Sequence, residues 1–494
     1  MNAAAHQTPK QSSASTEAAD LSLLRDCRIL VGIASFGTGH LNLLQHLISN
    51  YKRFPARVSI VVLSDGPKDL GPDVEVVVGL PSKNPWSLPF AHKKVFADRV
   101  ENFDLFIYSE DDIGFRADQL VEFIRATESL GADEIAGYLR YEIKPNGERL
   151  LTEPWQHFHW KPDSARQRGP YTVAEFTNEH AGFYILTQSQ LRRAIASGGF
   201  VREPYVGRYR LPETAATDPY TSCGFRKVIP VSHLEQFLVH HIPNKYVNDL
   251  PINYENFARQ IETLVKIKDG LHPTARLCDV EPKNWHNGFQ KSYYERPLPE
   301  ILSAIPASAR TVLSVGAGWG ALEFALKAQG KTVTALPLDS VVGASIAAQN
   351  IEVVYGTLED SLNDLLARRF DCVVMTNLLH LSPAPQNLIR KLATLVSPNG
   401  AVVTMGPNFG RFPRLLKRWL GIRGYSKLRN YSTSGISIVS PNTIDRILKP
   451  QGFGNSTIIW MSERGHELHP TLGTQLRRRF VATHWISRVT RRQS

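Results

Sequence analysis

One arrangement recurs along this chain and limits what it can fold into. A continuous apolar run ends in a turn of small or acidic residues, and the next stretch carries apolar side chains at helical spacing. RILVGIAS, beginning at Arg28, leads through FGTGH to a stretch with Leu43, Leu44, Leu47, Ile48 and Tyr51 on one helical face. RVSIVVLS runs to Asp65, VEVVVGL follows, and FDLFIYS runs into Glu110, Asp111 and Asp112 before a helix marked by Leu120, Phe123, Ile124 and Thr127. Unbroken apolar strands that alternate with helices belong to parallel sheets covered on both faces. In such sheets ligands bind beyond the carboxyl ends of the strands. Asp65 and the acidic triplet both fall there. The pattern resumes after residue 310, and 494 residues exceed one ordinary domain, so two α/β domains are expected.

The formal charge of +11 suits nucleotides, phosphates, anionic glycans or a membrane surface. Cys27, Cys223, Cys278 and Cys372 are scattered without a CxxC pair, which points to a reducing compartment and away from a cysteine zinc site. Residues 1–25 are mostly small and polar and are expected to be a disordered tail. No apolar run reaches the roughly 18–20 residues that span a bilayer. The expected location is cytoplasmic, with peripheral contact at the inner face of a membrane as the one extension.

Three adjacent carboxylates at the end of a core strand repel one another, so a cation is expected among them. A hard divalent ion prefers carboxylate oxygens, and beside a diphosphate it would improve the leaving group. This stretch resembles the metal-binding motif of GT-A glycosyltransferases, over about residues 26–248, with Glu110 standing where that motif usually has aspartate. The resemblance implies a GT-A-like nucleotide-sugar domain with Mn²⁺ or Mg²⁺ on the donor diphosphate. Asp112 would be a direct metal ligand, and Asp111 would act through the ribose or a water. His240 and His241 are the candidates for a further ligand, with His241 favoured. Ser35, at the end of the first strand, and Asp65 would meet the base and ribose, and His92 and Lys93 the phosphates. For an inverting reaction the base would be Glu213, Asp218 or Glu235. Asp218, in the turn-like TDPY, is the first choice.

In the second half, RTVLSVGAGWGALEFALKAQG combines an apolar strand, the glycines Gly316, Gly318 and Gly320, and a helix. Glycines permit a tight turn and let a ligand approach the backbone. The next strand ends at Asp339, a third is expected through IEVVYGTLED, a fourth is FDCVVMTNLLHL, and a fifth follows the turn Pro398-Asn399-Gly400. Over about residues 290–462 this succession resembles class I S-adenosylmethionine-dependent methyltransferases, nearest to the O-methyltransferases of ubiquinone biosynthesis. A Rossmann-like domain is implied. The three glycines would border the methionine and ribose of the cofactor, Asp339 would accept both ribose hydroxyls, Leu358 and Glu359 would flank the adenine, and Asn377 would line the floor. His380 could take the proton from a hydroxyl acceptor, or be a packing histidine.

The segment Phe409–Tyr431 carries Arg411, Arg414, Lys417, Arg418, Arg423, Lys427 and Arg429. It reads either as a lid over the acceptor or as a cationic amphipathic face toward anionic lipid. Residues 249–289 read as a closing helix and linker, and 463–494 as a basic tail. A fragment beginning near residue 285 is expected to fold alone. The whole suggests a fused enzyme that would extend a glycan or glycolipid from a nucleotide sugar and methylate the product. A methyltransferase with a non-catalytic glycan-binding first half is the alternative. Nucleic acid is not an expected partner, because the chain lacks an aromatic-basic binding module.

Overall fold

The computed structural model describes residues 20–155, 157–248, 252–283, 289–422, 428, 430–462 and 480–492. The predicted tail before residue 20, Arg423, Lys427 and Arg429, and residues 463–479 of the predicted basic tail lie outside the described residues.

The first half is built on a five-stranded sheet in the order Phe183–Thr187, Leu105–Glu110, Arg28–Ser35, Arg57–Ser64, Val74–Val78. The last four strands are parallel, and Phe183–Thr187 is antiparallel at the edge. Its central strands are buried almost throughout, which is why they read as unbroken apolar runs. The helices Leu41–Lys52, Ala91–Asp98 and Ala117–Ser129 flank it. Two four-stranded sheets are added beyond the triplet. One of them joins Ile113–Gly114 to Leu238–His241 and Leu139–Ile143, so it brings Asp112 and His241 to the same edge. Residues 231–237 form a 3-10 helix, and His241 ends the strand Leu238–His241.

The second half is a seven-stranded sheet in the order Glu352–Val353, Thr332–Pro337, Thr311–Ala317, Phe370–Thr376, Val396–Pro407, His484–Thr490, Thr457–Met461. The first five strands are parallel, and His484–Thr490 pairs antiparallel with both its neighbours. The third strand predicted through IEVVYGTLED is only Glu352–Val353, because Thr357 caps the helix Leu358–Asp364 and turns the chain.

The described residues between the halves, 252–283, are packed structure. The helix Tyr254–Lys268 puts Phe257 against Trp160 of the first half, with ring centroids 5.6 Å apart. Beyond it, Leu277 N–H donates to Leu338 O, Ser340 N–H to Ala275 O, and Leu358 N–H to Leu277 O. One continuous apolar core runs from Leu24 through Phe257, Val280 and Tyr293 to Val489. A fragment starting near residue 285 would leave behind the backbone partners of Leu338, Ser340 and Leu358, which weighs against its folding alone.

Asp218 and Lys93 are also corrected. Asp218 sits inside the helix Leu211–Thr221, fully buried. Its carboxylate forms an ion pair with buried Lys93 and accepts from Tyr205 (2.6 Å) and Ser222 (3.0 Å). Neither residue can reach a substrate. Burial pushes the Lys93 ammonium below its ordinary pKa, against the attraction of Asp218. Removing one partner of such a pair leaves an uncompensated buried charge and costs roughly 3–5 kcal/mol. Asp218→Asn should therefore lower unfolding stability by about that much in urea titrations, and the double substitution to apolar residues should restore most of it. An Asp218→Asn protein of parental stability would contradict this structural role.

Candidate functional site

The acidic triplet opens into a cleft of about 990 Å³, near the upper end of the roughly 300–1,000 Å³ usual for ligand sites. Aromatic side chains line its mouth: Phe36, Trp86, Trp155, Phe158 and Tyr246. Trp86 is 69 % exposed. Planar rings presented to solvent at a cleft suit stacking on a base or a sugar face.

The floor is an ordered run of charges. His40, which enters from the turn after the first strand, has Nδ1 3.0 Å from Asp111 Oδ1. His241 Nε2 is 3.3 Å from Asp112 Oδ2, while its Nδ1 is 2.5 Å from Glu142 Oε1. Glu142 also accepts from Tyr246 N–H at 2.7 Å, and the Tyr246 ring stacks on His241. Glu142 thus fixes the histidine ring and aims Nε2 at Asp112. Burial opposes the charge on His241, but the bonds to Asp112 and Glu142 prevail and hold its pKa above the ordinary value. Burial likewise opposes ionisation of Asp112, and His241 and Lys245 overcome it and hold that carboxyl below its usual range. Asp111 is shifted the other way, upward by burial, with His40 and Ser35 only partly compensating.

Asp112 Oδ1 is buried without a hydrogen-bond partner. Ligand atoms of His40, Asp111 and Asp112 all lie within 4.8 Å of one another. That spacing and the orphaned oxygen fit one divalent ion, and the mixed histidine and carboxylate donors suit Mn²⁺. Glu110 turns toward His180, 3.7 Å away, and lies outside the triad. Glu213, in the first turn of its helix, lines the cleft with Oε2 buried and unpartnered. Asp65 does not line the cleft: it accepts from Gly37 N–H at 2.8 Å and shapes the turn that delivers His40. Ser35 is buried beside Asp111. Glu235 is paired with Arg149 outside the cleft, and His92 is buried against Tyr184. Sequence reasoning passed over His40 and Glu142, and ranked Glu213 behind Asp218. Only His40 had a local signal, a histidine closing a glycine turn at a strand end.

In the second half Gly316, Gly318 and Gly320 line a cavity of about 230 Å³ with Ser314, Asn377, Met405, Lys291 and Glu295. Gly316 (φ 79°) and Gly320 (φ 105°) adopt the left-handed conformation that favours glycine. At Gly318 a side chain would meet Tyr293 O at 2.2 Å, and that carbonyl accepts from Trp319 N–H. Glu295 accepts from Lys291 (2.5 Å), Thr376 (3.2 Å) and Asn377 (3.3 Å). Asn377 (φ 51°) leaves Oδ1 buried and unpartnered.

Asp339 lies behind this cavity, 1 % exposed. Its Oδ1 accepts from Val341 and Val342 N–H at 2.8 and 3.0 Å as a helix cap. Its Oδ2 and the Tyr293 hydroxyl are buried beside each other, and the hydroxyl partly offsets the effect of burial on the carboxyl. Burial lifts the Asp339 carboxyl to about 6. Residues 272–283 and 289–294 cover this end of the sheet. They also cover the predicted adenine edge, where Leu358 N–H is taken by Leu277 O. Glu359 points to solvent and pairs with Lys391 at 3.2 Å, so its predicted place beside the adenine is corrected. His380 is buried outside the cavity. Its Nε2 donates to Phe289 O at 2.7 Å, which leaves the Nδ1 lone pair unpartnered. Burial lowers its pKa to about 4, so the ring is neutral at pH 7.

Residues 286–457 match a family described as a methyltransferase domain. Together with the glycine turn and parallel sheet, this makes the C-terminal region a class I S-adenosylmethionine-dependent methyltransferase domain. The chain is similar to the ubiquinone biosynthesis O-methyltransferase of Coxiella burnetii, at 30 % identity over 118 residues, 23 % of this chain and 50 % of that protein. The chain thus spans about half the length of the curated relatives it matches. Among solved structures, a SAM-dependent methyltransferase from Archaeoglobus fulgidus matches with a TM-score of 0.29 and 16 % identity, covering 39 % of this chain and 90 % of that one. N-methyltransferase NodS from Bradyrhizobium japonicum, in complex with S-adenosyl-L-homocysteine, matches with a TM-score of 0.27 and 15 % identity, covering 39 % and 84 %.

The raised pKa of Asp339 has a measurable consequence. A carboxyl at about 6 in the folded chain and near 3.9 when unfolded contributes its full stability below the lower value and loses it as pH rises through about 6. Asn keeps the cap and cannot ionise. Asp339→Asn should therefore be more stable than the parent by on the order of 1–3 kcal/mol at pH 8, with the gap closing near pH 4. Denaturant titrations at the two pH values decide this, and a gap that is absent or grows on acidification would refute the buried ionised carboxylate.

Proposed function

We propose that the chain carries two transferase sites: metal-dependent glycosyl transfer in the cleft, and S-adenosylmethionine-dependent O-methylation in the C-terminal domain. For the first site, the observation that carries the reading is the triad His40, Asp111 and Asp112 at the carboxyl end of a parallel sheet, inside an aromatic-lined cleft. His40, Asp111 and Asp112 would hold the ion, with His241 oriented by Glu142 as a further ligand. The ion would neutralise charge that builds on the leaving diphosphate. Trp86, Trp155 and Phe36 would stack on the donor's base or on sugar rings. Glu213 replaces Asp218 as the base. In an inverting displacement the acceptor hydroxyl forms the new bond to the anomeric carbon, the bond to phosphate breaks, and the hydroxyl proton passes to Glu213 Oε2. The alternative, a first half that only binds glycan, is disfavoured by that unpaired carboxylate facing the cleft.

For the second site, the bound cofactor supplies an electrophilic methyl group. The residues present fit it. The glycine turn would admit its methionine end, Glu295 and Asn377 would offer acceptors for the amino group, and Asp339, with the Tyr293 hydroxyl beside it, would take a ribose hydroxyl. The open cavity is smaller than ligand sites usually are, so residues 272–283 and 289–294 would have to shift for the nucleoside to enter. His380 Nδ1, a neutral lone pair, would take the acceptor's proton only if its ring, buried outside the cavity, were uncovered by that shift. The similarity to ubiquinone biosynthesis O-methyltransferases supports oxygen as the methylated atom. The simplest common substrate is a glycan or glycolipid.

Two variants separate the steps of the first reaction. Asp112→Asn should abolish Mn²⁺-dependent hydrolysis of nucleotide sugars. Glu213→Gln should retain that hydrolysis and lose transfer to an acceptor by roughly 10²–10⁴-fold, the usual contribution of a general base. Assays of donor hydrolysis and transfer over a panel of nucleotide sugars would check both, and full metal-dependent turnover by Asp112→Asn removes the assignment. For the second site, Asp339→Ala should weaken S-adenosylmethionine binding by on the order of tenfold to a few hundredfold in calorimetry, since bonds to a charged acceptor are worth about 1.5–3 kcal/mol each. Unchanged affinity would move the ribose contact elsewhere.

A further inference from the structure

After the strand Val396–Pro407 the chain forms the helix Phe412–Trp419, in which no residue is buried. Phe412, Leu415, Leu416 and Trp419, continued by Leu420, repeat at helical spacing and make one apolar stripe. On an ordinary surface helix that stripe would face the core. Here it faces outward: Phe412 is 60 % exposed, Trp419 82 % and Leu420 56 %, and Ile422 extends the patch. Arg414, off the stripe, donates to Asn408 O (2.9 Å) and Thr483 O (3.2 Å) and ties the helix to the domain. A contiguous exposed apolar surface of this kind marks an interaction site.

Charge identifies the occupant. From Pro407 to Ile444 the sequence contains no Asp or Glu, and Arg411, Arg414, Lys417 and Arg418 lie in or next to this helix. An apolar stripe with Phe and Trp, bordered by cations, matches the interfacial region of an anionic bilayer, where the rings sink to the headgroup boundary and the cations meet lipid phosphate. No helix among the described residues is long and apolar enough to cross a membrane, so the contact would be in the plane of one leaflet.

We propose that the helix Phe412–Trp419 seats the protein on an anionic lipid surface. The helix follows the strand whose Met405 lines the glycine-turn cavity, and Phe409, between strand and helix, packs 6.3 Å from the His380 ring. The bilayer therefore lies next to the methyl-transfer site. The docking itself rests on the exposed stripe and stands whether or not the assigned activities do.

The test is co-sedimentation of the full-length protein with vesicles of phosphatidylcholine alone or of phosphatidylcholine and phosphatidylglycerol in equal parts. The protein should bind the anionic vesicles, less so as salt is raised, and bind poorly to phosphatidylcholine alone. Leu416→Glu and Trp419→Ser should each weaken binding by about tenfold or more, because each removes apolar surface from the lipid boundary. Trp419→Phe should retain it. These side chains touch little of the fold, so thermal melts should match the parent. A parent that stays in the supernatant with anionic vesicles overturns the proposal, as does undiminished binding by Leu416→Glu. A lipid-independent dimer that Leu416→Glu converts to monomer would overturn it too, and would assign the stripe to a second copy of this chain.

Discussion

Tyr293 is held from both sides. Its ring lies flat on His159 of the first half, 4.1 Å between centroids and 8° from parallel, while its carbonyl fills the space that Gly318 leaves by having no side chain. Stacking of this kind is worth about 0.5–1.5 kcal/mol beyond the area it buries. The glycine of the turn is therefore required by the chain's own backbone. His159 directly follows Phe158, a wall of the cleft, and Tyr293 lies between Lys291 and Glu295, two walls of the smaller cavity. The rims of the two sites are a few residues apart through one stacked pair, and the shared apolar core explains why the join cannot act as a loose linker.

The cleft resolves the repulsion among its carboxylates by giving each a different partner. Glu110 turns to His180, Asp111 to His40, and Asp112 to His241. Glu142 extends the last pair into a chain of carboxylate, imidazole and carboxylate that is almost wholly buried. The residual imbalance is the unpaired Asp112 Oδ1, and it points at the place where a cation would complete the set.

What could be read in advance follows from the range of the interactions. The central strands were legible because a strand covered on both faces must be apolar along its whole length. The glycine turn and the acidic triplet were legible because each is a local device at a strand end. Asp218 was misread because Pro219 suggests a turn, whereas the helix Leu211–Thr221 accommodates that proline and the carboxylate meets Lys93, 125 residues earlier. His40 and Asp111 meet across 71 residues, and His241 and Glu142 across 99, through strand pairings that no local pattern encodes. Glu359 failed for another reason: a helix begins where a longer strand was expected.

The cover that residues 272–283 and 289–294 place over Asp339 has a kinetic meaning. A ligand that must wait for a segment to lift binds through a minor state, and its apparent affinity is the intrinsic affinity reduced by the fraction of time that state exists. If the segment were open about one part in a hundred, a donor with nanomolar intrinsic affinity would register as roughly tenth-micromolar. Its association rate would then report the opening of the protein rather than the diffusion of the ligand. Because Tyr293 in that segment leans on His159, whatever occupies the aromatic wall at Phe158 is well placed to change the opening frequency. An occupant of the first site would then act as a clock for the second.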